Sequence, residues 1–436
     1  MAPRGRTARA TLIAAAVVLL HAAPGAAQPP ARGTAPRIAP VDLATATEDQ
    51  RAILSGSTPA RRASDVDDGD DPGTGTNELR TYAHHPVLAA NLVPFARYIA
   101  AGSTLTPRHR ALLIIRTAWL CRSAYAWAHH AKAARRPAPA GAGLDSDDLA
   151  RIARGPGAAG WQPFEATLLR VADELHVNAF VSDPTWQALT REYDTQRAID
   201  AVFTVAEITM TAGTVNTLRI APDDDAPDRL PVAIPYQLDV RPATDRLIGK
   251  SARITPLEPA EWTPEVRAWL DRANTGRPIA GIYRTYARHL AMDKPRTLVS
   301  EHIRQTSTLS GRIRELLILR IGWLCRSEYE WAAHAPAGRR AGLTGADLAR
   351  IVAAPATADR ATPDGDTDAD TQLLRAVDEL HRDDAIGDAT WTALAMQFDT
   401  RQLLDILTTI GGYRMVSMAL NTFGVQLEPG AERFPD

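Results

Sequence analysis

Glu330 and His334 stand four residues apart in the stretch Ser-Glu-Tyr-Glu-Trp-Ala-Ala-His that ends at His334. On a helix that spacing stacks a carboxylate on an imidazole, within hydrogen-bonding reach. Such a pair can move a proton, because the carboxylate fixes the imidazole tautomer and makes the ring more basic. A helix over residues 314–334 would add Arg320, Trp323 and Ser327 to the same polar stripe, opposite Leu317, Ile318, Ile321, Leu324 and Cys325. A plainer reading stands beside this one. Arg326 lies one helical turn before Glu330, and a surface ion pair there is worth under about 1 kcal/mol. His334 would then be a helix-end residue favoured by the dipole.

The same stretch occurs earlier in the chain. Arg116-Thr-Ala-Trp-Leu-Cys-Arg-Ser-Ala-Tyr-Ala-Trp-Ala-His-His130 repeats Arg320 to His334 in register, and 23 of 50 positions are identical between residues 81–130 and 285–334. Glu315, Glu328 and Glu330 are replaced by Ala111, Ala124 and Ala126, and Tyr413 by Ile208. The second copy is thus the one equipped for proton chemistry. Arg116, Ser123 and His130 mark a degenerate counterpart. His109 and His129 are extra imidazoles read as solvated or packing residues. His176 and His381, each in Asp-Glu-Leu-His, are assigned to helix C-ends, where the dipole accounts for them. No metal-ligand spacing accompanies these histidines, so no metal is expected.

The duplication organises the whole chain. Arg37 matches Arg253, Trp186 matches Trp391, and Asn216 matches Asn421. The expected layout is an export signal over residues 1–27, a first repeat over 28–220, a linker over 221–251 and a second repeat over 252–436. Each repeat is predicted to be all-α. Thr263-Pro264 is an N-cap followed by proline at the first helical position, and Thr344-Gly-Ala-Asp347 has capping-box spacing. Asp399 precedes a long apolar run over residues 403–420 that contains Gly411 and Gly412. Loops rich in Asp, Gly and Pro are expected at 55–80 and 354–370, and one extended piece at 230–238.

Hydrophobic content of 45% over 436 residues is that of a globular chain, and two domains are the natural expectation. A net charge of -2 gives no reason to expect a nucleic-acid partner. Arg4, Arg6 and Arg9 before the apolar run 11–20, with Gly25 and Ala27 ahead of Gln28, fit a secretory signal. A secreted or periplasmic protein without a membrane anchor is therefore expected, with no later segment suited to crossing a bilayer. Cys121 and Cys325, each placed within a helix, are read as buried reduced thiols. There is neither a Gly-x-Ser-x-Gly elbow nor a phosphate-binding glycine loop.

Arg-x-x-x-Leu-x-Ile-Leu-Arg, then Ser-Glu-Tyr-Glu-Trp-Ala-Ala-His and Ala-Gly-Leu-Thr, resembles the carboxymuconolactone decarboxylase family and its alkylhydroperoxidase D-like relatives. The resemblance implies two tandem all-helical domains, assembly as a trimer of two-repeat chains, and no cofactor. Peroxidase members carry Cys-x-x-Cys, where this chain has Ser327 and Glu330, so two-electron thiol chemistry is disfavoured. The chemistry implied is decarboxylation or isomerisation of a small carboxylic acid or lactone. His334 would donate the proton, Glu330 would orient it, Arg320 or Arg326 would hold the carboxylate, and Tyr413, Ser327 and Trp323 would line the site. The competing expectation is an exported ligand-binding or scaffold protein that keeps the fold without catalysis.

Overall fold

The computed structural model describes residues 35–56, 76–138, 141–236, 238–243, 247, 249–272, 278–353 and 368–435. The expected signal segment and most of the loops at 55–80 and 354–370 lie outside these residues. Among the described residues each repeat contributes nine α-helices, matched one for one. The first repeat comprises α1 (Glu48–Leu54), α2 (Asn77–Tyr82), α3 (Pro86–Arg97), α4 (Pro107–Leu120), α5 (Ala124–Ala134), α6 (Ser146–Arg154), α7 (Pro163–Asn178), α8 (Asp183–Glu192) and α9 (Thr195–Leu218). The second comprises α10 (Pro264–Asp271), α11 (Gly281–Tyr286), α12 (Leu290–Glu301), α13 (Gly311–Leu324), α14 (Glu328–Arg340), α15 (Gly345–Val352), α16 (Ala369–Asp383), α17 (Asp388–Ala395) and α18 (Thr400–Phe423). No strand occurs among the described residues, and those of the stretch 230–238 are irregular.

Local signals account for the helix starts. Thr263 accepts from the Val266 amide with Pro264 behind it. Thr344 and Asp347 close a capping box, as do Asp399 and Gln402. Helices α9 and α18 are apolar on nearly every face, and such helices must be buried. By length and hydropathy both could cross a bilayer, which the sequence reading did not foresee. Their most apolar windows are 94% buried against protein, so they serve as core helices. They pack on one another, and Gly411 permits the approach, since a Cβ there would lie 2.6 Å from Met210 Cγ. The apolar core runs continuously through both repeats.

Polar side chains tie each repeat into the other. Arg37 donates to the Thr217 carbonyl of its own repeat and to the Ile386 carbonyl of the other. Arg253 does the reverse with Thr422 and Val181. Asn216 donates to the Cys121 and Asp384 carbonyls, and Asn421 to those of Cys325 and Ala179. Deeper still, Asp405 is held by His302 at 2.7 Å, by His85 of the first repeat, and by the amide and hydroxyl of Thr308. The matching node joins Asp200 to Tyr98, the Thr104 amide and His289 of the second repeat. His302 and Tyr98 both sit in π-helical turns, His302–Thr306 and Tyr98–Gly102, that follow α12 and α3.

Burial by itself would raise the Asp405 carboxyl, but the bonds from His302, His85 and Thr308 outweigh it and hold it well below the usual carboxylate range. A depressed folded-state pKa contributes stability above the unfolded value and loses it as pH falls through the folded one. Asp405→Asn is therefore expected to destabilise the fold at neutral pH by about 3–5 kcal/mol. In chemical denaturation the gap from wild type should shrink only below the ordinary aspartate pKa.

Candidate active site

The conserved-register stretch around Cys325 is two helices rather than one. Helix α13 ends at Leu324, Arg326 adopts a left-handed conformation at φ 53, and Ser327 is the N-cap residue before α14. The first repeat turns the same corner at Arg122, φ 51. Amides two and three residues past the helix end bond back to Trp323 and Gly322, which closes the turn. The single polar stripe expected over residues 314–334 is thereby divided, and its members separate. Both cysteines sit at helix C-caps instead of mid-helix, buried and not joined in a disulfide.

Arg320 is 2% exposed and makes a bidentate pair with Asp378 at 2.7 and 2.9 Å. It also donates to the Ile351 and Ala353 carbonyls, so its fork is fully used in tying α13 to α15 and α16. Arg116 does the same with Asp173, Ile152 and Ala153. Neither arginine is placed to hold a substrate carboxylate. Arg326 points away to the Ala243 carbonyl, and among the described residues it makes no ion pair with Glu330. Trp323 packs on Trp331 and Phe434. Ser327 is fully buried, with a hydroxyl that meets no partner among the described residues. Ser123, its counterpart, caps α5 through the Ala126 amide. Glu328 is engaged with Arg433 and the Phe434 amide near the C-terminus.

Glu330, His334 and Tyr413 do come together, on a cleft of about 180 Å³ in the second repeat. His334 lies within α14, which continues to Arg340, so a helix-end role does not apply. Its Nε2 is 3.3 Å from Glu330, and its Nδ1 is 2.8 Å from Glu315 on α13. The ring thus bridges two carboxylates, with the Tyr413 ring edge-on at 4.9 Å. Gly322 makes room for this, since a Cβ there would come within 3.1 Å of Glu330 Cβ. Burial pushes Glu330 up to about 7, with the Glu315 charge adding to it and His334 opposing. Burial works against a charged His334, but the Glu315 hydrogen bond and both carboxylate charges outweigh it and raise the ring above its ordinary value. Burial, then Glu330 and Glu315, push the Tyr413 phenol well up, so it stays protonated.

Sequence reasoning missed Glu315 as a site residue, although its loss from the first repeat together with Glu328 and Glu330 was a usable signal. It also missed the arginines that reach the cleft. Arg296 is buried against Asp293, whereas Arg304, in the π turn, is exposed and donates to the Tyr283 hydroxyl. Arg304 makes no ion pair among the described residues, and its charge acts on His334.

The remaining histidines are accounted for by neighbours. His109 bonds the Tyr193 hydroxyl. His129 faces Asp223 at 3.9 Å. His176 lies in the last turn of α7, as expected, and there also bonds the Tyr236 hydroxyl, beside Cys121 and Asp384. His381 likewise lies in the last turn of its helix, α16, and is half-buried, with an Nδ1 that meets no partner among the described residues. Two sets of side chains are close enough to share an ion, His85 with His302 and Asp405, and Cys121 with His176 and Asp384. In the first, Asp405 is already saturated by the donors above. In the second, Arg414 neutralises Asp384 at 2.6 Å, and burial raises the Cys121 thiol away from the thiolate a metal requires.

The carboxymuconolactone decarboxylase family model matches twice, over residues 86–174 and 292–378. The chain belongs to this family, with two copies of its domain in tandem. Searches of curated proteins and of solved structures found no match. The second match contains Arg304, Glu315, Glu330 and His334, and Tyr413 joins them from beyond its end.

A structural role for Arg320 has a direct consequence. Arg320→Ala leaves Asp378 as a buried unpaired carboxylate and is expected to cost about 3–5 kcal/mol of stability. Urea denaturation is the measurement, and Asp378→Asn in the same background should recover part of the loss.

Proposed function

We propose that the second repeat of this carboxymuconolactone decarboxylase family protein is an acid/base site acting on a small carboxylic acid, as a decarboxylase or an allylic isomerase. The single observation that carries this reading is the His334 imidazole held between Glu315 and Glu330 at the wall of a cleft that Arg304 also lines. The Glu315 hydrogen bond at Nδ1 fixes the ring, and the two carboxylates favour its protonated form. In a decarboxylation the substrate carboxylate pairs with Arg304 until its C–C bond breaks. Carbon dioxide departs, the electron pair stays on the substrate as an enolate, and His334 delivers the proton to carbon. In an isomerisation the same ring removes a proton from one carbon and returns it to another, and no atom is lost. Glu330, poised to about 7, carries the proton between His334 and the cleft. The Tyr413 hydroxyl is a further donor toward the developing oxyanion.

The test is turnover of a panel of β-keto and β,γ-unsaturated acids. His334→Ala is expected to lower kcat by about 10²–10⁴-fold. Arg304→Ala should act mainly on KM. Glu330→Gln should remove the ionisation near pH 7 from the kcat/KM profile. Glu315→Gln should move the alkaline limb to lower pH, because Glu315 is what raises His334. Turnover left intact in His334→Ala would refute the assignment.

A further inference from the structure

The first repeat has its own cleft, and its charge pattern is the reverse of the second. The cavity, of about 140 Å³, surrounds His130, the counterpart of His334. The wall that carries Arg296, Thr297, Ser300 and Arg304 in the second repeat is Leu92, Val93, Ala96 and Ala100 here. The glutamates at 315 and 330 are Ala111 and Ala126. Two carboxylates have appeared elsewhere on the lining, however. Glu78 on α2 stands where the second repeat has Ile282, and Glu207 on α9 stands where it has Gly412.

Glu78 is half-buried and Glu207 buried. Glu207 is 4% exposed, and Thr211 donates to one of its oxygens at 3.0 Å. Its other oxygen and both of Glu78 receive no donor among the described residues. A buried carboxylate without its donors is costly unless it is neutralised or paired. Burial pushes both groups up to about 7, and the Glu78 charge adds to this at Glu207. Burial, with His129 beside it, holds His130 down near 3, so this imidazole presents no positive charge. His129 faces Asp223, its charge also acting on Glu78, and Arg97, also on the lining, is already partnered. The remaining wall is apolar, formed by Leu79, Leu92, Ile99, Ile114 and Ile208. A compact metal ion does not suit the arrangement. The side-chain sets able to converge on one ion lie elsewhere among the described residues.

We infer that the first-repeat cavity is a binding site for a small organic ammonium, its nitrogen between Glu78 and Glu207 and its hydrocarbon on the apolar wall. The duplication has then produced two pockets of opposite selectivity, one for anions and one for cations. This assignment does not rest on any activity of the second repeat.

Calorimetry on the full chain with hexylammonium, hexanol and hexanoate tests it. Hexylammonium is expected to bind at one site per chain, about ten- to a hundredfold more tightly than hexanol. Glu78→Gln and Glu207→Gln should each remove that preference, while Arg304→Ala leaves it unchanged. Equal affinity for hexylammonium and hexanol in the wild-type protein would overturn the inference, as would the absence of saturable hexylammonium binding at millimolar concentration. An unaltered preference in both folded glutamine variants would overturn it too. The comparison of ligands on wild type stands even if a variant fails to fold.

Discussion

Everything in this molecule depends on burying α9 and α18 against one another. Each is buried on nearly every face, and each covers part of the other. Packing the two repeats face to face achieves that, and it brings polar groups from both into the dry interface. Those groups are then paired across the repeats by Arg37, Arg253, Asn216 and Asn421, and by the Asp200 and Asp405 nodes. Charges desolvated together hold only when fully bonded, which makes the interface specific as well as stable. The same two helices supply Glu207 to one cleft and Tyr413 to the other.

The two clefts show how duplication can divide chemistry. Both keep an imidazole at the same place in the fold, and its environment is opposite in the two copies. Carboxylates at hydrogen-bonding distance favour a charged His334. An apolar wall and a neighbouring imidazole keep His130 neutral. The exchanges that separate these outcomes are Glu315 against Ala111, and Gly322 with Glu330 against Ala118 with Ala126.

Much of this was legible in the sequence. The repeat, its helical class and the helix starts at Thr263, Thr344 and Asp399 follow from local capping chemistry and from identity in register. The Glu330–His334 pair follows from helical spacing. The corner at Arg326 was not legible, because a left-handed residue other than glycine leaves no compositional mark. Missing that corner placed Arg320 on the wrong face. Its real partner, Asp378, is distant in sequence and was visible only as part of the recurring Asp-Glu-Leu-His. Arg304 was hidden because a π turn, which no periodicity announces, carries it to the cleft. The matched Arg37/Arg253 and Asn216/Asn421 pairs were seen as repeats, but nothing in their spacing said that each reaches into the other copy.

The central claim is that the second repeat holds a protonatable imidazole between two carboxylates, Glu330 buried and Glu315 half-buried. Following the His334 ring by NMR through a pH titration tests this most directly, with His130 as the internal comparison. His334 is expected to titrate above the ordinary histidine value of about 6.5 and to fall when Glu315 becomes Gln. A His334 that titrates below that value, as His130 should, and that ignores the loss of Glu315, would contradict the account.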